Sequence, residues 1–246
     1  MVMRLIIFAV LLFFMPLTAA AQDNISVDLA TDHIDITTGF NGARLSLFGV
    51  REGAGEVAVV VRGPARAMTV RERERILGAW MNRRWVTFDD VPVYYAYATS
   101  VPENELASPD VLKANGIGFN SLQFQSGSWA GKDQREDFRA ALIRNRQSAG
   151  LIAAKGGLIN PISNNFFRAN FDLPPNVHPG SYKVQTYYFR NGEVRSVKTN
   201  KLRVAHVGTN ANILEFARDH AFTYGLLCIS IAIFAGWFSN RIRRRI

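Results

Sequence analysis

One cysteine, Cys228, is the whole thiol content of these 246 residues, and it falls in an uncharged run near the C terminus. The chain before that run therefore holds no internal disulfide. Eukaryotic extracellular domains of this size usually carry some, so the composition favours a bacterial periplasmic domain large enough to fold without staples. Histidine is scarce too: His33, His178, His206 and His220 are scattered, with no pair spaced i,i+4 and no companion cysteines. A zinc site, which needs three or four converging ligands, is not expected. The one local cluster, His33 with Asp32 and Asp35, reads as a solvated strand face. No Gly-x-Ser-x-Gly elbow occurs, so the usual hydrolase nucleophile signature is missing. The segment Gly127 to Asp133 has neither the spacing of a phosphate loop nor a hydroxyl residue after Lys132, and Lys155-Gly156-Gly157 is no closer. Asp89-Asp90 precedes Pro92, where aspartate serves local turns and not acid–base chemistry. No cofactor, no metal and no catalytic residue is expected.

Charge excludes another class. The formal net charge is +9, from 29 Lys+Arg against 20 Asp+Glu. Arg4 and the tail arginines Arg241, Arg243, Arg244 and Arg245 lie in terminal segments; without them the balance is 24 against 20. The basic pI is thus largely terminal, and nucleic acid is not an expected partner.

Those termini carry the strongest patterns. Residues 221–239, AFTYGLLCISIAIFAGWFS, are uncharged and are followed by Asn240 and RIRRRI. A hydrocarbon core of about 30 Å takes roughly 20 apolar residues at 1.5 Å rise, so this run is expected to span a bilayer once. Tyr224 and Trp237 sit near its ends, where amphipathic rings settle, and the arginine tail 240–246 is expected on the cytoplasmic side. At the other end, Arg4, the apolar stretch Leu5 to Met15 and Ala19-Ala20-Ala21 have the three-part form of a secretory signal peptide over 1–21. An uncleaved anchor is the alternative. The expected location is the bacterial cytoplasmic (inner) membrane, with the N-terminal domain periplasmic.

Between the termini the fold is expected to be mainly β, an immunoglobulin-like β-sandwich with a helical section in its middle. The first β part, 22–101, has strands at His33–Thr38, Ala43–Val50, Glu56–Arg62, Trp85–Phe88 and Val93–Thr99. The run Ala58 to Val61 has the composition of a strand covered on both faces. Arg71 to Arg75, RERER, reads as a solvated edge strand with arginines on one face and Glu72 and Glu74 on the other. In the helical section, 102–150, Ser108-Pro109-Asp110 starts one helix and Gly116 ends it, while Asp133–Ser148 forms a longer one stopped by Gly150. The second β part, 151–207, has strands at Leu158–Ile162, Phe166–Asp172, Tyr182–Arg190 and Glu193–Val204, the last two joined by Asn191-Gly192. A juxtamembrane helix is expected within 208–220.

The signal peptide, the segment RWVTFDDVPVYYAYATS, the loop LPPNVHPGSY and the basic-tailed C-terminal helix together resemble the alphaproteobacterial family of putative transmembrane proteins. The resemblance covers the whole chain. It implies an exported, anchored protein, often encoded near an inner-membrane permease of the sulfite-exporter type, and it carries over no catalytic residue. From the residues themselves, one candidate surface stands out. Arg71, Arg73, Arg75, Arg83 and Arg84, with Trp80 and Trp85, combine guanidinium groups and aromatic rings as anion-binding surfaces do. The plainer alternative is an exposed edge over core tryptophans. The expected role is a non-enzymatic accessory or interaction subunit of a membrane complex, in contact with the lipid bilayer and an integral-membrane partner. A small-anion-binding module, or an enzyme without a recognisable motif, is the rival.

Overall fold

A computed structural model describes residues 25–76, 78–122, 124–126, 131–208 and 216–243. Side chains are described over the same ranges except 76, 79, 80, 132 and 238–243. The expected signal peptide 1–21, most of the juxtamembrane helix and the end of the tail lie outside these residues.

Strand β1 (Ile25–Leu29), β3 (Ala43–Arg51), β11 (Phe166–Leu173) and β10 (Asn160–Pro161) form a four-stranded antiparallel sheet in the order β1-β3-β11-β10. A six-stranded sheet runs β2 (His33–Ile36), β13 (Glu193–His206), β12 (Gly180–Arg190), β4 (Glu56–Arg62), β7 (Tyr95–Thr99), β9 (Gly157–Leu158). Its two outer pairs, β2 with β13 and β7 with β9, are parallel. The sheets face each other across one core, with Leu45, Leu47, Phe167 and Phe171 from the first meeting Val57, Val59, Val61, Val184 and Leu202 from the second.

The two β parts are therefore not successive modules. β3 pairs with β11 and β4 with β12, so each sheet draws on both, and the helical section is an insertion between them. The expected strand Leu158–Ile162 is instead two short pairings: 157–158 joins the six-stranded sheet, and 160–161 joins the four-stranded one. β1 precedes the first expected strand; its ISVDL alternates buried and exposed, which is period-2 patterning of an edge.

The middle of the six-stranded sheet is covered on both faces. All five residues Val57 to Val61 are at most 1% exposed. Val57, Val59 and Val61 enter the sandwich; Ala58 and Val60 lie under the helical section. β7 sorts its YAYAT by size, small Ala96 and Ala98 to the sandwich and Tyr95 and Tyr97 to the helical side. That layer holds α1 (Glu103–Leu106) and α2 (Pro109–Ala114), which contribute Leu106 and Leu112. Ser108 caps α2, accepting from the Val111 amide, and Gly116 follows at φ +62. Tyr hydroxyls fasten the layer to the sheet: Tyr95 donates to the Gly116 carbonyl at 2.9 Å, and Tyr97 bonds Glu103.

The helix α3 (Lys132–Ser148) follows, ended by Gly150 at φ +71 as its sequence implies. The last element, α4 (Ala221–Arg243), is a 23-residue helix. Every described side chain from Ala221 to Trp237 is exposed or half-buried, including Phe222, Leu226, Leu227, Ile229, Ile231, Ile233, Phe234 and Trp237. Among the described residues no helix is long and apolar enough to cross a membrane. The stretch 221–237 makes only about 26 Å at 1.5 Å per residue.

Candidate functional site

Two strands leave the sandwich together. β5 (Ala65–Ile76) and β6 (Ala79–Pro92) pair as a long antiparallel arm, with β8 (Gln125–Ser126) added at its base. β5 is the edge of this three-stranded sheet, as RERER implies. β6 is longer than its expected segment Trp85–Phe88, because Asp89-Asp90 does not break it. The ladder shifts register there and Asp90 takes φ +58, a conformation Asp tolerates better than most residues. Asp89 and Asp90 both lie at this irregularity.

Only the base of the arm is covered. Phe138 and Leu142 of α3 pack on Val86, Phe88 and Val91, with Met68 and Val70 beside them. Beyond Val70 the described side chains of the arm, up to Trp85 on the returning strand, are exposed or half-buried, and its faces differ.

One face neutralises itself. Arg84 bonds Glu72 through Nε at 2.7 Å and a second nitrogen at 3.2 Å, and Arg83 bonds Glu74. The latter pair holds the Arg83 guanidinium above its ordinary value, chiefly through the Glu74 hydrogen bond. A bulge makes this arrangement possible. Arg71 opposes Trp85 and Glu72 opposes Arg84, but Arg73 then opposes Asn82, so Arg83 is the extra residue. Without the bulge Arg73 would stand directly across from Arg83, a repulsive like-charge pair. A cavity of about 450 Å³ opens between Val70, Arg71, Glu72 and Arg84 of the arm and Gln134, Asp137, Phe138 and Ala141 of α3.

The other face keeps its charge. Arg71, Arg73 and Arg75 alternate along it, all exposed. Among the described residues Arg75 reaches only the Gly78 carbonyl, at 3.3 Å, and Arg71 and Arg73 have no acidic partner. Trp85, across from Arg71, is 64% exposed, so it is not a core tryptophan. Trp80 pairs with Arg75 in the ladder, though its side chain is outside those described. Thr69 and Thr87 close the base of this face with a 2.9 Å hydrogen bond. The structure thus gathers all five candidate arginines on one arm and divides them three to one side and two to the other.

The remaining sequence candidates take structural places. His33 bonds Asp32 at 2.9 Å on an exposed strand edge, which raises the imidazole pKa and lowers that of the carboxyl. Among the described residues no group of three or more His, Cys, Asp or Glu converges on a metal position. Gly156 and Gly157 lie against Tyr97 and Ala98, where a Cβ on Gly156 would fall 2.6 Å from the Tyr97 ring, so close packing explains them. Most of the 127–133 loop is outside the described residues.

One residue was invisible to pattern reading. Arg62, the last residue of β4, bonds Gln185 and donates to the carbonyls of Asn115 at 2.8 Å and Gly116 at 2.7 Å. Its guanidinium lies 6.0 Å from the centre of the Tyr95 ring. It ties the helical section to the sheet and lines a second cavity of about 450 Å³ with Asp90 and Lys183. The sequence signal was slight: a charged residue closing an otherwise apolar run before Gly63-Pro64.

Beside the base of the arm, Tyr182 at the start of β12 donates to the His178 carbonyl at 2.6 Å, and burial pushes its phenol up to about 12. The buried Nδ1 of His178 has no hydrogen bond of ordinary geometry among the described residues; burial, then Arg146 and Arg66, outweigh the Asn176 backbone and hold the imidazole below the ordinary histidine value.

No curated protein matches the chain. The family model described as "Putative transmembrane protein (Alph_Pro_TM)" matches residues 24–245, through the sandwich, the arm and α4 alike. By that match over nearly its whole length, the chain belongs to the family of that description, Alph_Pro_TM.

Proposed function

We propose that this is a single-span protein of the bacterial cytoplasmic membrane, whose exported sandwich serves as an accessory or interaction subunit beside an integral-membrane partner such as a permease. The observation that carries the reading is α4. Eight large apolar side chains stand exposed around it, and its hydrophobicity has no polar face to offer water. In the sequence the uncharged run continues through Phe238, Ser239 and Asn240 before Arg241, which extends it to about 30 Å, the thickness of a hydrocarbon core. The arginine tail then sets the helix C terminus in the cytoplasm and the sandwich outside, delivered there by residues 1–21.

The sandwich supports an interaction role by its immunoglobulin-like features. The order β1-β3-β11-β10 against β13-β12-β4 follows the A-B-E-D and G-F-C arrangement of that fold. The Tyr182 hydroxyl bonded to a carbonyl four residues upstream is similar to the tyrosine corner of that fold's F strand. Two residues on, where antibody domains carry a cysteine, stands buried Val184. Sandwiches of this kind host many functions, so the analogy supports binding without naming a ligand. Anchoring confines the domain to a thin layer and raises its effective concentration beside a membrane partner.

The test is purification of a tagged copy from native membranes in mild detergent. A stoichiometric integral-membrane companion, lost when α4 is exchanged for an unrelated spanning helix, is the expected result. Isolation of the protein alone would remove the accessory role and leave the small-anion reading, which now narrows to Arg71, Arg73 and Arg75.

A further inference from the structure

We propose that the charged outer face of the β5–β6 arm docks on the anionic phospholipid surface, with Arg71, Arg73 and Arg75 meeting headgroup phosphates and Trp85 set among the headgroups. The proposal rests on the anchored reading above and adds a second contact with the bilayer. Its basis is the division of charge on the arm. Glu72 and Glu74 are turned to the opposite face and bonded there by Arg84 and Arg83, so no carboxylate of β5 competes for the three outer guanidiniums. Guanidinium is the side chain best suited to phosphate oxygens.

Geometry selects an extended anionic surface over a single small ion. Same-face positions on a strand are about 6.7 Å apart, so the three arginines form a row of about 13 Å. One phosphate or sulfate reaches two of them at most, whereas a lipid surface offers phosphates along the whole row. Trp85 adds a separate argument. An indole 64% exposed at the side of this row is poorly placed in water, and amphipathic rings settle at the headgroup layer. The tether keeps the sandwich close to the bilayer, since residues 209–215 bridge no more than about 30 Å between Gly208 and Phe216. Juxtamembrane basic segments are attracted to anionic lipid over a short range that salt curtails.

The experiment uses the full-length protein in nanodiscs of phosphatidylcholine alone and of phosphatidylcholine with one-third phosphatidylglycerol, followed by amide hydrogen exchange across residues 69–87. Exchange at least threefold slower in the anionic discs, reversed by 0.5 M salt, is expected. The triple variant Arg71→Gln, Arg73→Gln, Arg75→Gln loses the difference. The charge-balanced variant Glu72→Gln, Arg84→Gln keeps it. Equal exchange in both discs overturns the proposal. So does equal protection by inorganic phosphate in detergent, which would mark a free-anion site, or protection found in native membranes but not in anionic discs, which would mark a protein partner. Carbonate extraction is run first. Protein released by carbonate removes the anchor and the docking together; integral protein with an indifferent arm removes the docking alone.

Discussion

Strands β4 and β5 are separated only by Gly63 and Pro64, yet they live in opposite environments. β4 reads EVAVVVR and has five consecutive residues with essentially no exposed surface, because one sheet covers its odd side chains and the helical layer its even ones. β5 reads ARAMTVRERERI and leaves cover at Val70, after which all five residues from Arg71 to Arg75 are charged and exposed or half-buried. The lesson is that a strand's composition reports how many of its faces are covered. Two covered faces need an unbroken apolar run, since any polar side chain would be buried without a partner. No covered face permits alternating charge, which also keeps a bare edge from pairing with another chain.

That contrast predicts a gradient of mutational cost. Leu47→Ala, at the centre of the sandwich and with no exposed surface, should destabilise by about 2–5 kcal/mol through lost burial and the cavity left behind. Thermal unfolding of the purified protein checks it. Next comes Gly49→Ala in β3. A Cβ there would fall 2.3 Å from the Phe167 ring and 2.7 Å from Val27, so repacking should cost about 1–3 kcal/mol by the same measurement. Tyr182→Phe removes the corner hydrogen bond and leaves the His178 carbonyl short of a donor, an expected loss of about 1–2 kcal/mol. On the arm, Arg84→Gln should change stability by less than about 1 kcal/mol, because the Glu72 pair is solvent-exposed on both sides. A loss there as large as that of Leu47→Ala would abolish the contrast.

A pH measurement refines the comparison at the corner. The folded pKa of His178 is depressed, so the unfolded chain binds the proton more readily. Stability from this group is complete above about pH 6.5 and declines as pH falls from there through the depressed folded value. His178→Asn should flatten that part of the stability–pH curve relative to wild type. An unchanged slope between pH 5 and 7 would show that the imidazole is not held neutral by burial.

Much of the fold was legible. Alternating runs marked β2, β3, β11, β12 and β13, an unbroken apolar run marked β4, and the positive φ of Asn191 and Gly192 is what the β12–β13 hairpin dipeptide requires. Ser108, Pro109, Gly116 and Gly150 marked helix ends because caps depend on local backbone chemistry. What could not be read was long-range. Nothing in 43–51 announces that it pairs with 166–173, so the two β parts looked like separate stretches. The strand 157–161 could not disclose that it changes sheets midway, nor Asp89-Asp90 that it bulges within one strand.

For the candidate site the same boundary holds. Alternation in RERER was enough to put three arginines on one face and two glutamates on the other, because side-chain direction in a strand has period 2. The apolar run 221–239, the arginine tail and the covered or bare character of each strand were likewise settled by residue order, since they depend on local hydrophobicity and charge. Which arginines are neutralised was not. That required the hairpin register and its bulge, which bring Glu72 to Arg84 and Glu74 to Arg83. Tertiary pairing also decided that both β parts build one sandwich and that Arg62 locks the helical layer to it. These are contacts between residues far apart in the chain, and they form only when the whole core is assembled.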